Sequence, residues 1–235
     1  MKDITHFLAP ALAGTMLDEP LHKLYDIYQR IEQSQREWIG ATPFRCPDGC
    51  GSCCEGFEPD ILDIEAYFLA AWILMNQPDR VHSIHYDSSH QGCILADPAN
   101  PYHCTVYEGR PLICRLFAYS GDRGKDGSVR YRPCKFMTAA YMEGGIGKTY
   151  SNQELQNLFG ILPPVMGDLA GEAAIILPER SGDRYPLREI LPVALAKIRY
   201  LLDLAFFAEN PVNGKSDGNN DGDNDNDGAP LPRAG

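Results

Sequence analysis

Four of the chain's eight cysteines fall within nine residues, Cys46-Pro47-Asp48-Gly49-Cys50-Gly51-Ser52-Cys53-Cys54. Such a stretch packs poorly as apolar core and reads instead as a loop folded around its own sulfurs. The other four, Cys93, Cys104, Cys114 and Cys134, lie in or beside a region from Gln77 to Lys135 that Gly, Pro, Asp and Ser break up. Four plus four is the count for two tetrathiolate sites or for one shared polynuclear site. Short spacing lets two or three sulfurs converge on one ion from a single turn. Gly49 and Gly51 stand between candidate ligands, where the chain bends tightly and turns backbone N–H groups toward sulfur. Pro47 and Asp48 suit the same turn. Cys53 and Cys54 are neighbours, so their side chains diverge. One mononuclear tetrahedral site would strain them, which favours two centres, one fed by each; a disulfide between them would be strained too.

Charge points the same way. The whole chain carries −11 at a pI near 4.9, which argues against nucleic acid or an anionic membrane as partner. From Cys104 to Lys135, however, seven basic residues (Arg110, Arg115, Arg123, Lys125, Arg130, Arg132, Lys135) face three acidic ones. Clustered thiolates stay anionic even around a divalent ion, and nearby guanidinium groups stabilise them. An anionic-ligand patch or an exposed basic loop are the blander accounts. Structural disulfides would need export, but the apolar run of MKDITHFLAPALAG is interrupted by Asp3, His6 and Pro10. The expectation is a cytoplasmic protein with reduced thiols. No 18-residue apolar stretch is present; Ile64 to Met75, behind Asp63 and Glu65, reads as a buried helix, so no membrane partner is expected.

With 44% apolar and 23% charged residues, the 235-residue chain can bury a core without staples. The periodicity predicts a mainly α fold, with helices packed around an irregular cysteine-rich metal-binding segment and few short strands. One helix is expected over 20–39, where Leu21, Leu24, Tyr25, Tyr28 and Ile31 share a face. A central one is expected over 60–76, capped by Asp60. Further helices are expected from Phe136 to Met142, after the capping box Ser151-Asn152-Gln153-Glu154, and from Pro186 to Glu209, which Pro192 starts or kinks. Ala173 to Leu177 reads as a short strand paired with Arg184 to Leu187. The expected organisation is one globular domain over 1–212 with its metal-binding core at 44–136. A disordered Asp/Asn/Gly-rich tail follows over 213–235. Asp223, Asp225, Asp227 and Gly228 match the front of a calcium loop, but Ala234 stands where its bidentate Glu belongs.

Cys46, Cys50 and Cys53 also have the C-x3-C-x2-C spacing of radical SAM enzymes, but Ala41 to Arg45 is too short for the strand those barrels place before it. His82, His85, His90 and His103 are possible nitrogen ligands, although eight thiolates already suffice. Gly144-Gly145-Ile146-Gly147-Lys148 lacks the strand and spacing of a phosphate-binding loop.

The segment Cys104-Thr105-Val106-Tyr107-Glu108-Gly109-Arg110-Pro111-Leu112-Ile113-Cys114-Arg115-Leu116-Phe117 completes a pattern. The chain resembles the YkgJ-like cysteine-cluster family, known as a zinc- or iron-chelating domain. That family has C-x2-C-x2-C-C followed by a segment like C-x-I/V-Y-x-x-R-P-x-x-C-R. Gly92-Cys93 and Cys134 also sit where the family has cysteines. Three residues rather than two separate Cys46 from Cys50, so Cys46 is the least secure ligand. The resemblance covers roughly 44–136 and leaves the terminal helices and tail unexplained. It implies metal held by up to eight thiolates, with Arg110 and Arg115 donating hydrogen bonds to sulfur or to an anionic substrate; the alternative is that they cover apolar surface. Some members are labelled iron–sulfur or oxidoreductase proteins, and a flagellin lysine methylase shares the pattern. The cofactor is expected to be an iron–sulfur cluster or zinc, since both take thiolates. Adjacent cysteines and a Gly-rich loop suit a multi-iron centre better than a closed zinc knuckle. The functions in view are an electron-transfer or oxidoreductase component, a non-enzymatic chelating or structural-zinc module, and, more weakly, a methylase-like enzyme.

Overall fold

The computed structural model describes residues 12–54, 56–84, 86–87, 92–97, 99, 103–137 and 147–209. Helix α1 (Asp18–Ala41) buries Leu21, Leu24, Tyr25, Tyr28, Ile31, Gln35 and Trp38 at three- and four-residue steps, as an amphipathic helix must. Asp18 and Glu19 occupy its positive first turn, and the Thr42 hydroxyl donates to the Trp38 carbonyl at 2.9 Å where it ends. Helix α2 (Asp63–Asn76) is buried continuously from Asp63 to Ile73. It can be apolar all round because α1 packs on one side and α6 (Leu187–Glu209) on the other.

Two expectations are corrected here. Asp60 does not cap α2. Asp60–Leu62 forms strand β1, which pairs antiparallel with β5 (Arg184–Pro186) so that Ile61 lies opposite Tyr185. The helix starts at Asp63 instead, and the Glu65 carboxylate accepts the Leu62 N–H at 2.9 Å. Nor is Ala173 to Leu177 a strand. Ala173 and Ala174 end helix α5 (Met166–Ala174), whose Met166, Leu169, Ala170 and Ala173 face the core at helical spacing. A five-residue apolar run does not reveal its period, and here its upstream neighbours decide the helix.

The middle of the chain holds the five-residue helix α3 (Leu112–Leu116) and a small antiparallel meander. Its strands are β2 (Asp122–Arg123), β3 (Val129–Tyr131) and β4 (Tyr150–Ser151), with Asp122 opposite Arg130 and Tyr131 opposite Tyr150. Helix α4 (Asn152–Phe159) opens on the expected capping box: the Ser151 N–H donates to Glu154 Oε2 at 2.8 Å, and the Glu154 N–H donates to Ser151 Oγ at 3.3 Å. Ser151→Ala should therefore cost about 1 kcal/mol, read as a lower urea midpoint with an unchanged slope.

Apolar side chains gather in two cores. The larger is built mainly from α1, α2 and α6. The smaller is aromatic, with Trp38, Phe44, Tyr131, Met137, Tyr150 and Leu155, and lies under the meander. Trp38 meets Tyr131 edge-on at 5.0 Å and stacks on Phe44 at 6.0 Å. Among the described residues, no helix is long and apolar enough to cross a membrane. Of the expected Phe136 to Met142 helix, Phe136 and Met137 lie in a turn and bend, and the rest falls outside the described residues, as do His6, His85, His90, Gly144–Gly145–Ile146 and the 213–235 tail.

Candidate metal centre

The cysteine loop is anchored where it begins. Phe44 is sunk in the aromatic core, and the Cys46 N–H donates to the Tyr119 hydroxyl at 3.0 Å. Within it, the Cys50 N–H reaches the Pro47 carbonyl at 3.1 Å and the Cys54 N–H reaches the Gly51 carbonyl at 2.8 Å, two successive tight turns. Gly51 is required by a close approach. A Cβ there would lie 2.2 Å from the His103 ring. This contact seats the second cysteine segment directly on the first.

That second segment is held by its own pairing. The Thr105 N–H and hydroxyl both donate to the Leu95 carbonyl, at 3.1 and 3.0 Å, and Ala96 bridges Cys104. Arg188, at the start of α6, clamps the Cys93 side from outside. Its side chain donates to Glu58 Oε2 at 2.5 Å, to the Asp87 carbonyl at 2.9 Å and to the Gly92 carbonyl at 3.0 Å. Beyond Cys104, Gly109 passes so near the Trp72 ring that a Cβ would stand 2.8 Å from it. The chain then enters α3, which carries Cys114. The Leu112 N–H at its head donates to Glu65 Oε1 at 2.6 Å.

The result is convergence. Cys46, Cys50, Cys53, Cys54, Cys93, Cys104 and Cys114, from four separate segments, line one cavity of about 410 Å³, together with Gln35, Phe57, Arg110, Phe117 and Tyr119. Cys134 is not part of that lining; it packs on the aromatic core, as Cys46 does. All eight are free thiols. The Cys53 and Cys54 sulfurs are 4.0 Å apart. Among the described residues, no three Cys, His, Asp or Glu side chains are drawn tightly enough together to grip a single ion. His103 lines the cavity, whereas His82 is exposed and does not.

Burial pushes Cys46, Cys104 and Cys114 upward, and raises Cys93 to about 11. Cys54 is the exception: the Cys53 thiol hydrogen-bonds to it and lowers it. Thiol–thiol repulsion links the whole group, since Cys53 is raised by its neighbour Cys54. Cys46 feels Cys134, Cys50 and Cys53, while Cys54 feels Cys114, Cys104 and Cys93.

The two arginines have different surroundings. Arg115 is 3% exposed and donates to the Arg110 carbonyl at 2.8 Å, to the Glu108 carbonyl and to Glu32 Oε1 at 3.3 Å, with its Cζ 4.0 Å above the Tyr28 ring. It ties the loop between Cys104 and Cys114 to α1. Arg110 lies over Tyr107 at 3.6 Å, and its field favours thiolate at Cys53, Cys104 and Cys114. Its buried Nε has no hydrogen-bond partner. A cavity lined by soft sulfur donors, with an unspent guanidinium donor at its wall, fits a thiolate-bound metal.

Sequence reasoning overlooked Glu65, Arg188, Tyr119 and Gln35 as supports of this site. Only Glu65 left a signal, as a carboxylate in the first turn of a nearly all-apolar helix. No curated protein and no solved structure matches the chain. Residues 45–136 match the model of the CxxCxxCC family, described as "Putative zinc- or iron-chelating domain".

Proposed function

We propose that the chain chelates metal through the thiolates of Cys46, Cys50, Cys53, Cys54, Cys93, Cys104, Cys114 and Cys134, and that the metal is iron held in iron–sulfur form. Seven thiols around a cavity of about 410 Å³ carry this reading. Four sulfurs on one zinc, each at about 2.3 Å, would close up and leave no such space. Wider spacing suits a cluster with iron and inorganic sulfide between the cysteines. Such a group supplies one-electron transfer when bound, which makes the chain an electron carrier or oxidoreductase component. Arg110 would lend its free N–H and its charge to the bound sulfurs, while Arg115 holds the loop in place.

Zinc in a non-enzymatic chelating module is the second reading, favoured by the four-plus-four count of cysteines. The methylase-like reading has no residue outside the cysteines to support it. Anaerobic purification followed by iron, zinc and acid-labile sulfide analysis separates the first two. The expected outcome is a coloured protein whose visible absorption bleaches on reduction. A colourless protein rich in zinc would transfer the conclusion to the second reading, and metal-free material would defeat both.

A further inference from the structure

We propose that α6 carries a self-complementary face on which a second copy of this chain docks, antiparallel and centred on Tyr200. The proposal is independent of the metal. Helix α6 buries Leu187, Leu191, Ala194, Leu195 and Ile198 in the larger core, chiefly against α2. Its opposite side is apolar as well. Val193, Tyr200, Leu204 and Phe207 follow one another at steps of seven, four and three residues, and each is at least 47% exposed. At about 100° per residue they form one stripe, with exposed Ala196 at its edge. A surface helix ordinarily turns polar side chains to water on that side, so an uncovered aromatic stripe marks an interaction surface.

Charge selects the occupant. Arg199 and Asp203 stand on the same flank of the stripe, about 100° and about 60° from Tyr200 around the helix. Both are exposed, and among the described residues neither has an ion-pair partner, although they lie four residues apart. Cation before anion is the weaker order for a pair within one helix. A second α6, laid antiparallel about a two-fold axis beside Tyr200, supplies the missing partners. The two-fold sets residues equally far before and after Tyr200 side by side. Asp203 of the second copy then stands within about 3 Å of Arg199 along the helix axis, on the same flank, and symmetry supplies the reciprocal pair. Val193 meets Phe207 of the second copy, small Ala196 meets its Leu204, and Tyr200 meets its own counterpart. Lys197, on the other flank, is half-buried and turned to the Tyr67 hydroxyl at 3.3 Å, so it leaves the seam clear. A seam of one helix pair is small, and the dimer is expected to be weak.

Sedimentation of the full chain tests this. A monomer–dimer equilibrium is expected. Monomer alone up to about 200 µM would overturn the proposal, whether the stripe stays bare or is covered by residues 210–235 of the same chain. Arg199→Asp places only acids on the shared flank, and Asp203→Arg places only cations there, so each single variant should dimerise about tenfold more weakly. The double variant Arg199→Asp/Asp203→Arg exchanges the charges, restores both pairs and should recover the dimer. An equal mixture of the two single variants should form a heterodimer. Dimerisation that ignores these charges, or a double variant no more dimeric than the singles, would overturn the proposal. Both positions are exposed, so the variants should fold, with helical content read by circular dichroism. If either does not, Tyr200→Glu, which sets two carboxylates against each other at the two-fold, decides the matter: a monomer supports the seam and an unchanged dimer overturns it.

Discussion

Replacing Glu65 with leucine should be among the most damaging single changes in the molecule. The carboxylate is 1% exposed and accepts two backbone N–H groups, from Leu62 at 2.9 Å and from Leu112 at 2.6 Å. Arg184 stands 3.6 Å away. Leucine fills the space but leaves both donors without an acceptor, at about 1–3 kcal/mol each, so the loss should be about 2–6 kcal/mol. Against a typical total of about 5–15 kcal/mol, that is a large share. Glu65→Gln keeps one acceptor oxygen but turns an amide toward the other N–H, and should fall between leucine and the unchanged chain. Urea unfolding of the three proteins gives the order; leucine no worse than glutamine would contradict it. Since Leu112 opens the helix that carries Cys114, the leucine variant should also retain less metal.

The second large effect concerns Arg115. Its guanidinium is enclosed by two backbone carbonyls, Glu32 and the face of Tyr28. Arg115→Ala strands these acceptors and opens a void beside Tyr28. Because Glu32 is 26% exposed at its side chain and water can reach it, the expected loss is nearer about 3 kcal/mol than the about 5 kcal/mol seen for fully buried pairs. For a chain of this size that corresponds to a fall in Tm of about 6–12 °C. Lysine should not rescue it, because a point charge lacks the planar fork that reaches several oxygens at once. Arg110→Gln, in contrast, should leave thermal stability almost unchanged and weaken metal retention, since that side chain faces the thiols. Equal losses of stability in the two arginine variants would refute this difference in role.

Legibility in the sequence followed the range of the interactions. Helices α1, α4 and α6 could be read because their evidence is local: a three-four apolar rhythm, a capping box, and a long stripe ending before Asn210-Pro211. The β1–β5 pair could not, since two three-residue strands separated by more than a hundred residues have no rhythm of their own. The cysteines announced themselves by spacing, and the matched segment 45–136 coincides closely with the stretch they mark out. Their supports did not. Arg188 reaching Glu58 and the Gly92 carbonyl, and Glu65 reaching Leu112, are pairings that only the fold creates. His103 looked like a spare nitrogen ligand, but its ring also forms the floor on which Gly51 rests.

That last contact changes what a motif search should require. A homologous chain could keep every sulfur and both arginines yet carry alanine at position 51. The added methyl would collide with the imidazole 2.2 Å away and prise the two cysteine loops apart. Counting thiols would still score such a chain as a chelator, although its donors would no longer face one another. The smallest side chain in the loop is as much a part of the recognition code as the cysteines around it.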